Sequence, residues 1–335
     1  MGELSAEAVL GRVPDREVLE LARERLLPHI HRTPVLTSST FDELCGARLY
    51  FKAESFQKAG SFKVRGALNT VLGLNQETAA SGVVTHSSGN HGQAVALAAQ
   101  LRGIPAVIVM PNNAPMAKQD AVRGYGAEVQ LCPPTLADRE RSAAALVAQR
   151  GLTLVHPYDD PRILAGQSTC ARELMEDAPE RLDWILAPVG GGGLISGSAL
   201  AASFFGEGTR VLGVEPAGAD DSYRSLRDGE LERCLDPRTV ADGLRTSLGK
   251  LPFKVLRQLG VDVVTVKEET IVEAMRLLWE RLKVVVEPSG AVPLAALMED
   301  PVACSGGAPP RLKGKAIGVV LSGGNLDLAR LPWQS

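Results

Sequence analysis

Between Gly82 and Val155 short apolar runs alternate with helical patterns: GVVTH, HGQAVALAAQLRG, PAVIVM, PMAKQDAVRGYG, EVQLC, ADRERSAAALVAQRG and LTLV. No other feature constrains the fold as tightly. A strand that is apolar at nearly every position has both faces covered, and the amphipathic segments between such strands are the crossovers that parallel pairing requires. The pattern predicts a small parallel sheet with helices on both faces. A second series follows, with WILAPV, RVLGVE, VDVVTV and KAIGVVLS as strands and helices at about 194 to 206, 268 to 283 and 290 to 298. Residues 217 to 250, rich in Asp, Gly, Ser and Arg and weakly periodic, are expected to form long functional loops with short helices. The expected architecture is two α/β domains, each an open, mostly parallel sheet: residues 1–78 with 155–335 as the large domain and 79–154 as the small one.

A chain of 335 residues, 45% hydrophobic and with a net charge of −3, can bury cores of this size. No basic run stands out, aromatics are only 4%, and no RNA-binding aromatic motif or zinc-finger spacing occurs, which argues against a nucleic-acid partner. Acids and arginines interrupt MGELSAEAVLGRVPDREVLELARERLLPHI, unlike a secretory signal, and the apolar runs elsewhere are too short to cross a bilayer, so no membrane partner is expected. The five cysteines, Cys45, Cys132, Cys170, Cys234 and Cys304, are odd in number and lack C-x-x-C spacing. Reduced thiols in the cytoplasm fit that usage better than a disulfide framework.

Open parallel sheets bind ligands beyond the carboxyl ends of their strands. There, SSGNHG follows VVTH, GGGG follows ILAPV, PAGADD follows LGVE and SGGN follows IGVVL. The run Gly190-Gly191-Gly192-Gly193 between strand and helix lets several backbone N–H groups converge on an anion at a positive helix end. A flexible tight turn is the alternative; a P-loop is not, because no Lys-Ser/Thr follows. Alone, the motif names no ligand. In ESFQKAGSFKVRGALN, Lys63 follows Gly60-Ser61-Phe62 at an expected helix start. It is either a solvated helix residue or a nucleophile of the kind that a phosphate-bearing aldehyde cofactor requires. The five histidines form no ligand cluster; His91 is placed near substrate and His156 is read as structural.

Taken together and in this order, GSFKVRGA, SSGNHGQA, VGGGGLISG, EPSGA and LSGGN resemble the pyridoxal-phosphate enzymes of the tryptophan-synthase-β fold, fold type II. The resemblance covers about residues 15 to 327 and is closest to serine racemase and the serine/threonine dehydratases. It implies that Lys63 is the Schiff-base lysine and general base, with Phe62 beside the cofactor ring, Asn90 on the ring hydroxyl, Gly190, Gly191, Gly192 and Gly193 around the phosphate, and Ser322 facing the pyridine nitrogen. On the substrate side it implies Ser87, Ser88, His91, Arg139 and Asp242, with Ser88 as the acid/base opposite Lys63. Sulfhydrylases of this fold carry Thr-Gly-Asn-Thr where this chain has Ser88-Gly89-Asn90-His91, which favours the racemase and dehydratase branch. In EPAGADD the resemblance makes Glu215, Asp221 and the carbonyl of Ala219 ligands of a divalent cation, Mg²⁺, Mn²⁺ or Ca²⁺, all of which favour oxygen.

By the same resemblance Ser38, Ser39 and Lys58 match positions that bind ATP, an activator, near a dimer interface, so a homodimer acting on a small hydroxy amino acid is implied. The expected activity is interconversion of L- and D-serine with β-elimination to pyruvate and ammonia. A dedicated serine/threonine or 3-hydroxyaspartate dehydratase is the alternative. The spellings EPSGA and GGGGLISG are more usual in threonine dehydratases, and Ala117 or Met116 replaces a reactive cysteine of the mammalian racemases. Both departures bear on the balance between the two reactions.

Overall fold

The computed structural model describes residues 12–87, 89–299 and 303–334. Among the described residues eleven strands form two sheets. β1 (Val35–Leu36), β2 (Arg48–Ala53), β7 (Trp184–Pro188), β8 (Arg210–Pro216), β9 (Asp262–Val266), β10 (Ala303–Cys304) and β11 (Ala316–Leu321) make a seven-stranded sheet in the order β1-β2-β11-β7-β8-β9-β10. β3 (Val83–His86), β4 (Ala106–Pro111), β5 (Glu128–Cys132) and β6 (Thr153–Leu154) make a four-stranded sheet in the order β5-β4-β3-β6. The small sheet is parallel throughout, and the large one is parallel except at its edges, where β1 and β10 pair antiparallel.

Strand side chains alternate faces, and here both faces are apolar. Leu49, Phe51, Leu186, Leu212, Val214, Val264, Ile317 and Val319 pack on one side of the large sheet with the buried faces of helices Glu268–Leu277 and Pro288–Met298. Their neighbours Tyr50, Ile185, Ala187, Val211, Val263 and Val320 pack on the other side with helices Pro161–Asp177 and Gly193–Phe205. Each fully buried Val, Leu or Ile contributes about 1.5–3 kcal/mol, so a run such as AIGVVL, buried at every position, is held from both sides.

One polar network crosses this apolar interior. Arg65, wholly buried, donates to Glu54 at 2.7 and 2.8 Å and to Glu173 at 2.7 and 2.9 Å. Lys52, pointing from β2, reaches Glu173 at 2.8 Å and the carbonyl of Thr33 at 2.7 Å. Two cations balance two carboxylates, which is the condition for burying any of them. The network anchors helix Lys63–Leu72 from behind, two residues after its first member.

Each sheet has a switch point where strand order reverses: between β3 and β6 in the small sheet, and between β7 and β11 in the large one. Ligand crevices open at such points.

Candidate active site

The loops leaving β3, β6, β7 and β11 converge on a cavity of about 640 Å³. Phe62, Lys63, Ser87, Asn90, His91, Arg139, Gly190, Gly191, Gly192, Gly193, Asp242 and Ser322 all line it. Ser88 lies outside the described residues. Glu215, Ala219 and Asp221, and likewise Ser38, Ser39 and Lys58, are not on its walls.

Lys63 opens helix Lys63–Leu72, so the helix-start reading was correct, but the solvated-charge alternative is not what forms. The preceding turn is tied to the loop after β11: Phe62 N–H donates to the Ser322 carbonyl at 3.1 Å and Gly324 N–H to the Gly60 carbonyl at 3.0 Å. The Lys63 amine donates to the Pro157 carbonyl at 3.1 Å and sits 5.2 Å from the centre of the Phe62 ring. Burial lowers its pKa from the usual 10.5 to about 8, against the opposing pull of the Glu287 carboxylate, which favours the charged form. A free amine is therefore available near neutral pH.

Gly190–Gly193 bridge β7 and helix Gly193–Phe205, whose first N–H groups have no side-chain cap. Gly192 has φ +89°, and a Cβ on Gly191 would lie 2.1 Å from Tyr158 Cδ1. The turn must be free of side chains both to bend and to admit the Tyr158 ring, whose hydroxyl is 3.0 Å from Thr246 Oγ1. A helix end without a side-chain cap that lines a cavity is an anion receptor.

Asn90, the first residue of helix Asn90–Arg102, donates through Nδ2 to both oxygens of Glu287, at 2.8 and 3.1 Å. Glu287 is buried, and desolvation first, then Asp242, raises its pKa from 4.5 to about 8. Among the residues expected to meet substrate, Ser87 Oγ accepts from Gly89 N–H at 3.2 Å, and Asp242 pairs with Lys118 at 3.1 Å. Arg139 lines the cavity with a buried Nε that has no hydrogen-bond partner. His91 Nε2 lies 3.0 Å from the Val155 carbonyl; a carbonyl only accepts, so Nε2 carries the proton and Nδ1 is left bare and buried. Burial, then the nearby Lys63 charge, holds this ring neutral. His156 Nδ1 accepts from the N–H groups of Tyr158 and Asp159 at 3.3 and 2.8 Å, a structural task that shapes the loop presenting Pro157 and Tyr158.

Glu215 and Asp221 are both buried away from the cavity. Glu215 accepts from the N–H groups of Ser222 and Tyr223, and burial followed by the Asp221 charge pushes its pKa well above the carboxylate range. Asp221 Oδ2 accepts from Leu248 N–H at 2.7 Å while Oδ1 is buried without a partner, and burial raises this carboxyl to about 6.

Sequence reasoning assigned no role to Glu287, Asn325, Tyr158 or the Pro157 carbonyl, all of which line the cavity. Glu287 and Asn325 stood in the quoted motifs EPSGA and LSGGN, so a signal existed at both. Tyr158 had one too, in that it follows the last strand of the small sheet.

A lysine amine partly free at neutral pH, an uncapped glycine cradle for an oxyanion, and Asn90 and Ser322 between them fit a phosphate-bearing aldehyde. The comparisons agree. The model of a family described as "Pyridoxal-phosphate dependent enzyme" matches residues 26–323. The chain is 47% identical over 321 residues to the beta-hydroxyaspartate dehydratase of Paracoccus denitrificans (strain Pd 1222), covering 96% of this chain and 99% of that one. It is 49% identical over 314 residues to serine racemase of Arabidopsis thaliana, covering 94% and 93%. The structure of maize serine racemase matches with a TM-score of 0.91 at 44% identity, over 96% of this chain and 97% of that one. The chain thus belongs to the pyridoxal-phosphate dependent enzymes and has their type II fold.

Proposed function

We propose that the protein interconverts L- and D-serine and also eliminates the β-hydroxyl of serine to give pyruvate and ammonia. The observation that carries this reading is Lys63, whose amine is held at 3.1 Å by the Pro157 carbonyl and has its pKa lowered to about 8. The relatives named serine racemase supply the reaction class.

Pyridoxal phosphate, when bound, supplies an electron-withdrawing ring that stabilises negative charge at the substrate α-carbon. Lys63 removes the α-proton at Nζ, and its depressed pKa places it near the range where a base works best. Ser322 offers a hydroxyl, which does not hold a proton on the ring nitrogen as a carboxylate does, so proton exchange and β-elimination are favoured over transamination. Asn90 fixes a donor against the cavity, and the Gly190–Gly193 turn receives the phosphate. Ser88, by its place in the SSGNHG motif, is proposed to return the proton on the opposite face. Two opposed proton carriers are what racemisation requires.

A dedicated dehydratase of 3-hydroxyaspartate is the second reading. It is favoured by the unpartnered guanidinium Nε of Arg139 in a cavity that also holds Lys118, a setting suited to a second carboxylate, and by the dehydratase relative.

We also propose a divalent cation at Glu215 and Asp221. Two buried carboxylates with one orphaned oxygen fit a hard cation, with the Ala219 carbonyl and water completing the set. Among the described residues no group of three or more His, Cys, Asp or Glu could hold a metal, so such a site would rest on these two side chains. Activation by ATP at Ser38, Ser39 and Lys58, a homodimer and a cytoplasmic location are further proposals. The last is supported by five free cysteines, and among the described residues no helix is long and apolar enough to cross a membrane.

The test is incubation with L-Ser, D-Ser, L-Thr and 3-hydroxyaspartate, with and without Mg²⁺ and ATP, measuring oxo acids and enantiomers together. D-serine formed from L-serine, lost in Ser88→Ala while pyruvate release persists, supports the reading. Oxo acid with no D-amino acid from any substrate replaces it with the dehydratase.

A further inference from the structure

The Asn90 amide is held at both ends. Asn325 Nδ2 donates to the Ala59 carbonyl at 2.7 Å, and a carbonyl can only accept, so that end of the Asn325 amide is its nitrogen. The same nitrogen gives its second hydrogen to Asn90 Oδ1 at 2.9 Å. The other end of Asn90 must then be Nδ2, and it meets both Glu287 oxygens, at 2.8 and 3.1 Å. One N–H shared between two oxygens of a carboxyl leaves the second Asn90 N–H unspent, in a residue that lines the cavity. Glu287 is buried, and its backbone N–H is tied to the Gly323 carbonyl at 3.0 Å, which fixes the point from which its side chain reaches Asn90.

We infer that Glu287 is a positioning residue: through Asn90, and together with Asn325 and the Ala59 carbonyl, it fixes which atom Asn90 presents to the cofactor, so that a hydrogen-bond donor always faces the ring oxygen. Ala59 lies just before Lys63 in the chain, and Asn325 just after Ser322. The relay therefore couples the turns carrying the lysine and the serine to the donor between them. The inference rests on the cofactor reading of the cavity and is independent of which amino acid turns over.

Glu287→Gln keeps the length of the side chain and an acceptor for Asn90, whereas Glu287→Met keeps the length and removes the acceptor. Each purified variant is stripped of cofactor, titrated with pyridoxal phosphate by fluorescence, and its visible absorption recorded when loaded; melting of the cofactor-free protein serves as the folding control. The expected result is a Kd within about threefold of wild type and an unmoved absorption maximum for Gln, against at least about tenfold weaker binding and a displaced maximum for Met. Asn325→Ala, which removes the other tether, should displace the maximum in the same direction. That keeps the inference falsifiable even if the Met variant does not fold. Met and Gln behaving alike, or an unmoved maximum in Asn325→Ala, would overturn it. Wild type that binds pyridoxal phosphate but leaves serine untouched would reject the serine reading alone.

Discussion

Lys63 gives the sharpest quantitative expectation. An amine captures an aldehyde only in its neutral form, so the rate at which cofactor-free protein takes up pyridoxal phosphate follows the neutral fraction. With a pKa of about 8, roughly half of the amine is neutral at pH 8 and nearly all at pH 10, so uptake should rise only about twofold over that interval. An unshifted lysine at 10.5 would go from roughly 0.3% to 24% neutral, a rise of about 80-fold. The assay is rapid mixing at fixed ionic strength, following the absorbance that covalent attachment produces at roughly 410–420 nm. Because the Glu287 carboxylate favours the charged amine, Glu287→Gln should move the midpoint below that of wild type. A rate in the wild type that climbs steadily to pH 10 would refute the idea that burial prepares this amine.

Gly191→Ala brings a Cβ to 2.1 Å from Tyr158 Cδ1; overpacking of this kind costs about 1–3 kcal/mol, so pyridoxal phosphate should bind roughly 5- to 150-fold more weakly, with partial recovery in Gly191→Ala/Tyr158→Ala. Arg65→Met leaves Glu54 without a cation and Glu173 with Lys52 alone in the interior, and should lower stability by about 3–5 kcal/mol in urea titration; a loss below about 1 kcal/mol would mean that the network contributes little. Glu287 has its carboxyl raised from 4.5 to about 8, so between those values the folded state binds more protons than the unfolded one and stability falls as pH rises. Melting of the cofactor-free protein should therefore decline more between pH 5.5 and 8 for wild type than for Glu287→Gln, and parallel declines would contradict the assignment.

The strands that were easiest to read are those whose every side chain is apolar. The run PAVIVM forms the strand Ala106–Pro111, buried at every position, and AIGVVL is buried throughout because helices cover both faces. β2 was missed for the opposite reason: RLYFKA contains Arg48 and Lys52, and nothing near them in the chain reveals that Glu173 makes Lys52 buriable. β1 and β10, at two residues each, carry too little pattern to register, and their pairing depends on the edges of a sheet assembled from distant segments.

The site followed the same logic. Motif order brought Lys63, Asn90, Gly190–Gly193 and Ser322 together as candidates, and the loops at the switch points place them around one cavity. The role of Glu287 was not legible because its partner Asn90 stands 197 positions earlier, and a glutamate in EPSGA looks like an ordinary helix N-terminal acid until its burial is known. The Pro157 carbonyl was equally invisible, since backbone acceptors leave no mark on composition. Arg139, read as a carboxylate partner, does reach the cavity, but its helix is mostly exposed, which is why periodicity alone would have left it in solvent.

The most direct measurement is borohydride reduction of the pyridoxal-phosphate-loaded protein followed by peptide mapping. One stoichiometric label is expected, on the peptide containing Lys63 and lost in Lys63→Ala, although Lys52 is also buried and Lys118 also lines the cavity. A label on either of those lysines, or a loaded protein with Lys63 unmodified, would contradict it.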